Sequence, residues 1–330
     1  MSAALLLAAH TAAGLLLGAP LLRRAVWVDR APRLGLLAWQ VLTVSVLASA
    51  VLAGITLALP VTPVSGGPAQ MLHSCALMLR QAYATPSGAL TATAGLAVSA
   101  GIVLRTGYGV GAEWVRAALE RRRHLAALAV VGTGDAWLGA TVVDHDACAA
   151  YCLPGRTGRG GHVVLTSAAL AALDDAGLAA VLAHEREHLR GRHHLLVALA
   201  RGVRRAFPFV PAFAHARAEV ARLTELAADD AAASATDRLT VAEALLSLAR
   251  AGRDGTAGSP TPGAPGSALA ASGSGSGRRV RRLLNDRPPL GRGGLLMAAI
   301  AVGVALASPF AIAILSGLLA ATVDCCLVHG

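Results

Sequence analysis

Four long apolar runs punctuate the chain: Ala3 to Leu22, Leu34 to Pro60, Gly88 to Leu104 and Leu295 to about Ala321. Twenty residues of helix, at about 1.5 Å each, cover the roughly 30 Å of a bilayer's hydrocarbon core. The first, second and fourth runs reach that length, and each predicts a transmembrane helix. The third is shorter and rich in Ala, Gly and Thr, so it predicts a span whose small residues suit close packing against other helices. Pro309, inside the fourth run, removes one backbone hydrogen bond and predicts a kink. Between the third and fourth runs the pattern changes to amphipathic helical stretches, with short alternating runs at Ala140 to Val143 and His162 to Thr166. The pattern predicts a mainly α membrane protein in which four transmembrane helices carry an α+β domain at residues 105–251.

Two further segments complete this division. Residues 252–277 contain SPTPGAP and SGSGSG, too little apolar surface to order themselves, and read as a flexible linker. A tether is the plain reading of it, and self-cleavage an alternative. Residues 278–294 open with Arg278, Arg279, Arg281 and Arg282, a basic segment expected at the bilayer surface, and residues 322–330 form a short tail.

Charge orients the spans. The loop between the first two carries Arg23, Arg24, Arg30 and Arg33 against one Asp, which places it in the cytoplasm. These charges follow the first apolar run instead of preceding it, so a retained helix is favoured over a cleaved signal peptide. Between Pro60 and Ser87 the one basic residue is Arg80, as expected of an external loop. Four crossings then put both termini outside and the 105–251 domain in the cytoplasm. On this topology Cys148 and Cys152 are free cytoplasmic thiols, whereas Cys75, Cys325 and Cys326 lie outside, where a bridge from Cys75 to the tail is an option.

Composition adds the class of cell and excludes one class of partner. Mean hydropathy is +0.58, and all 29 basic residues are Arg, as in a GC-rich bacterial genome, which points to the bacterial plasma membrane. The net charge of +10 comes without a basic helix interleaved with aromatics, so no nucleic-acid binding is expected; attraction of Arg to anionic membrane lipid accounts for the charge.

The chemistry-bearing residues lie in LAAVLAHEREHLRG. His184 and His188, four apart, project from one helix face and can grip one metal ion, with Glu185 beside them. Asp174 or Asp175 is the expected amino-terminal cap of this helix and Gly191 its stop. Two imidazoles leave a zinc ion short of protein ligands. Glu225, in TELAADDA, supplies the third, and Asp229 one turn later can accept a hydrogen bond from the far nitrogen of a ligand histidine. PFVP between the two helices permits the antiparallel return. His193, His194 and His215 receive no metal role, and Asp230 is expected to be solvated.

LAAVLAHEREHLRGRHHLL followed by ELAADDA resembles the gluzincin core of the BlaR/MecR-type membrane metallopeptidases and, more distantly, the HtpX and CAAX prenyl protease type. The resemblance implies one Zn2+ per chain held by His184, His188 and Glu225, with Glu185 as catalytic base, in a cytoplasmic gluzincin-type metallopeptidase domain. It also implies that a strand before the active helix, His162, Val163, Val164, Leu165 and Thr166, pairs with an extended protein or peptide substrate. A BlaI-like repressor is the substrate by resemblance. The penicillin-sensing domain of those proteins has no counterpart after Ala321. A long soluble module before a single last span resembles the regulatory family more than the quality-control one, so regulated cleavage of a cytoplasmic or membrane-proximal protein is the first expectation, with HtpX-like quality control or a non-catalytic zinc-stabilised transducer as alternatives.

Overall fold

The computed structural model describes residues 2–58, 83–155, 161–254, 274–285 and 288–328, together with 77 and 80. The expected external loop, most of the linker and the Cys75 bridge lie outside the described residues. In chain order the elements are α1 (Ser2–Ala13), a π turn (Gly14–Gly18), α2 (Ala19–Arg24), α3 (Val26–Arg30), α4 (Pro32–Ala58) and α5 (Pro86–Val131). The strands β1 (Gly132–Asp135), β2 (Ala140–Val143), β3 (Ala150–Pro154) and β4 (Gly161–Thr166) follow. Then come α6 (Ser167–Ala171), α7 (Asp175–Arg190), α8 (His193–Ala206), α9 (Pro211–Ala235), α10 (Arg238–Asp254), α11 (Ser274–Leu284) and α12 (Arg292–Val328).

Four helices among the described residues are long and apolar enough to cross a membrane: Ala3–Arg24, Pro32–Ala58, Pro86–Val131 and Arg292–Ser316. They fit a membrane protein, and α4 is the central one, with 44% of its most apolar window buried within the protein against 11% for the first. Small residues let α4 and α5 touch: Gly54 faces Gly95, and Ser99 donates to the Val51 carbonyl at 2.8 Å. α5 does not stop where its apolar run ends. The helix is 46 residues long in all, and Arg105, just past that run, donates to the Ala206 carbonyl at the end of α8. α12 likewise runs through Pro309.

Helices α8 and α9 share a core with these spans. Leu36 and Trp39 of α4 pack on Val220, Leu223 and Leu226 of α9, and Val46 packs on Val203 and Ala206 of α8 and on Phe207 and Phe213 beyond. Deeper into the domain, Ala140, Val163 and Leu165 of the sheet and Leu138 of the β1–β2 turn pack on Val181 and Leu182 of α7, with Ala244 and Leu248 of α10 closing the layer.

The sheet order is β1-β2-β4-β3. β1 and β2 form an antiparallel hairpin, β2 and β4 are parallel, and β4 and β3 are antiparallel. β4 therefore lies inside the sheet. Val164 is paired with Thr141 on one side and Tyr151 on the other, and Leu165 with Val142 and Ala150.

Candidate metal centre

α7 starts where Asp174 accepts from the Gly177 amide at 2.8 Å and ends at Gly191. Arg192, with φ at 48°, turns the chain so that α8 begins against the last turn of α7. PFVP does what its prolines predict: α8 ends at Ala206, and Pro211 opens α9 in the reverse direction.

This turn brings Glu225 to the histidines. The Nε2 atoms of His184 and His188 lie 3.1 Å apart. Glu225 Oε2 is 3.6 Å from His184 Nε2, and its Oε1 is 3.5 Å from His188 Nε2. A tetrahedral zinc with bonds of about 2.0–2.2 Å separates its ligands by about 3.3–3.6 Å, so the donor set fits that ion in number, chemistry and spacing. Asp229, fully buried, lies 3.1 Å from His184 Nδ1 and so presents the Nε2 lone pair inward.

Two contributors escaped the sequence reading. Arg279, 7% exposed, donates to both Asp229 oxygens at 2.5 and 2.8 Å, and its Nη1 is 3.0 Å from Glu225. It belongs to the segment expected at the bilayer surface, but α11 turns it inward. Ser276, Arg279, Val280 and Leu283 are the buried face of that helix, so an arginine on an amphipathic helix's apolar side was the available signal. The last residues assigned to the linker, 274–277, are the first turn of α11. Arg282 of the same segment pairs with Asp230 at 2.7 Å, so Asp230 is partnered, not simply solvated. The second contributor is His193, set aside in the sequence. Buried, it shares a hydrogen bond with His188 through the two Nδ1 atoms at 2.9 Å, leaving His188 Nε2 for the site.

Most of the expected substrate strand lies inside the sheet. His162 to Thr166 form β4, and pairing on both flanks leaves Val164 and Leu165 no free backbone edge. Of the two edge strands, β1 and β3, it is β3 that flanks the centre: Ala150, Cys152, Leu153 and Pro154 line one cavity with His184, Glu185, His188 and Glu225.

Burial and charge tune these groups. Burial opposes a proton on His184, yet the hydrogen bonds to Asp229 and Glu225 outweigh it and hold the pKa up at about 10. His188, buried beside that charge, is pushed down to about 3. Burial opposes ionisation of Glu225 too, but His184 and Arg279 keep its carboxyl at about 2. Glu185 has no such outweighing partner, and burial pushes its carboxyl up, toward the range of a general base.

Three donors converging on one point, with a separate carboxyl of raised pKa in the same cleft, are what metal-assisted hydrolysis asks of a protein, and the class is metallopeptidase. The chain belongs to peptidase family M48, a family of zinc metallopeptidases, whose sequence profile matches residues 113–287, more than half of the chain. Among curated proteins and solved structures, nothing matches it.

Proposed function

We propose that His184, His188 and Glu225 hold one zinc ion and that Glu185 is the general base of a membrane-embedded endopeptidase. The observation that carries this reading is the convergence of two Nε2 atoms and a bridging carboxylate within 3.1–3.6 Å, backed by Asp229. When bound, zinc supplies Lewis acidity to the scissile carbonyl and to the attacking water. Glu185 takes the proton of that water and delivers it to the leaving amine, and its raised pKa suits both steps. The free edge of β3 holds the substrate extended by backbone pairing.

The Arg-rich loop between the first two spans supports a centre at the cytoplasmic face of a bacterial plasma membrane, with both termini outside and lipid around four helices. Regulated cleavage of one cytoplasmic or membrane-proximal protein, a BlaI-like repressor by resemblance, is the favoured role; HtpX-like quality control and a non-catalytic zinc-stabilised transducer are the alternatives. The test is zinc content together with proteomic comparison of wild-type and Glu185→Gln cells. The variant should keep about one zinc per chain and lose about 10²–10⁴-fold in cleavage rate. One or two stabilised proteins would support the regulatory role, many would support quality control, and full function without Glu185 would favour the transducer.

A further inference from the structure

The cavity around the catalytic groups extends well past them, to about 980 Å³, between α5, α8, α9 and the edge of β3. That is large for a small-molecule pocket, and it suits several residues of an extended chain. Its wall carries Arg116 and Arg121 from α5, Arg201, Arg204 and Arg205 from α8, and Arg217 from α9. Besides the catalytic carboxyls, two acids face them. Glu113 is shared by Arg116 at 3.0 Å and Arg205 at 3.3 Å, and Glu120 is the other. Arg121, Arg201, Arg204 and Arg217 have no carboxylate partner among the described residues.

Three helices thus converge cationic groups on one concavity, where low-dielectric walls concentrate the field and raise the local concentration of anions. Anionic headgroups would satisfy arginines spread around the outside of the helices. These arginines share a cavity with Glu185 and with the free backbone edge of β3, and the occupant of that cavity is the chain being cut. Resting on the peptidase reading above, we infer that the cleft selects substrates carrying Asp or Glu close to the scissile bond. The selectivity is electrostatic, so it weakens as salt rises.

The test uses the zinc-loaded full chain in mild detergent and quenched peptides of one length, whose flanking residues are Asp/Glu, Asn/Gln or Lys/Arg. The acidic peptide should be cut with a kcat/KM about tenfold above its amide counterpart at low salt, from a few exposed ion pairs acting together. The ratio should shrink at high salt, collapse in the Arg201→Gln/Arg204→Gln double variant, and turn toward the basic peptide in Arg201→Glu/Arg204→Glu. A ratio taken within one preparation does not depend on how much of a variant folds, and the salt series needs no variant. Cleavage without charge preference overturns this inference alone. So does an unchanged ratio in variants that have lost binding to vesicles of anionic phospholipid, which would assign the arginines to the membrane surface. Absence of any Glu185-dependent cleavage overturns the peptidase reading and this inference with it.

Discussion

His184 sits between two carboxylates, and without metal they keep its ring protonated at pH 7, with a pKa of about 10. A ligand imidazole must give up that proton, so zinc uptake at pH 7 should release one proton from His184. Zinc affinity should rise about tenfold per pH unit toward pH 10. Calorimetry in buffers of different ionisation enthalpy reads the proton count directly. The same shifts set the stability of the metal-free protein. The His184 contribution is fully present below its ordinary value of 6.5 and is lost as pH rises through about 10. That of Glu225 is present above its ordinary 4.5 and lost as pH falls through about 2. His188, held neutral, costs stability as pH falls from 6.5 toward about 3. Metal-free unfolding curves should therefore show greatest stability near pH 6.5. Asp229→Asn removes the negative charge behind His184, and a chelator competition should find zinc held about 10–100-fold more weakly.

At the scale of elements, close approach of helices distinguishes glycines that look alike in the sequence. α5 and α8 cross where Gly109 meets Gly202, and a Cβ on Gly202 would lie 2.6 Å from the Val110 Cα, a backbone atom that cannot give way. Gly202→Val should destabilise the protein by about 1–3 kcal/mol. Gly111, on the same helix as Gly109, has open space around it, and Gly111→Ala should stabilise by about 0.5–1 kcal/mol. Denaturant unfolding in one detergent compares the two, and the same sign for both would refute this account of the crossing. The pairing of strands is also decided at this scale. β3 (AYCLP) and β4 (GHVVLT) are both short and largely apolar, and nothing in either segment says which one the sheet leaves at its edge.

Across the whole molecule, the candidate metal centre and the spans are tied at several points. Trp39 of α4 packs under α9, Gln40 donates to the Leu196 carbonyl at 3.3 Å, and α11, next before the last span, sends Arg279 into the site. His10 adds a tie among the spans, meeting Ser45 at 3.1 Å and Ser308 at 3.2 Å. Arg279→Ala leaves Asp229 buried without its strongest partner and should cost about 3–5 kcal/mol. Zinc retention should fall with it. Arg279→Lys restores the charge but not the two-pronged grip on Asp229, so it should recover part of the loss, as zinc content and thermal unfolding would show.

Features that depend on residues a few positions apart were legible before any folding was considered. The apolar runs have a length that only a bilayer or a core requires, and His184 and His188 share a helix face by spacing alone. Asp174, Gly191 and the prolines of PFVP mark where helices begin and end through local backbone chemistry. Even Glu225 and Asp229 could be placed, because their spacing of four repeats that of the histidines and PFVP marks a reversal of the chain between the two pairs. Tertiary structure decided what depends on distant partners. An apolar helix face reads the same whether lipid or α9 covers it, so the burial of Leu36 and Trp39 was not in the sequence. Strand order placed β3, not β4, at the cleft, and an undescribed stretch of chain separates Arg279 from the aspartate whose burial demands a cation.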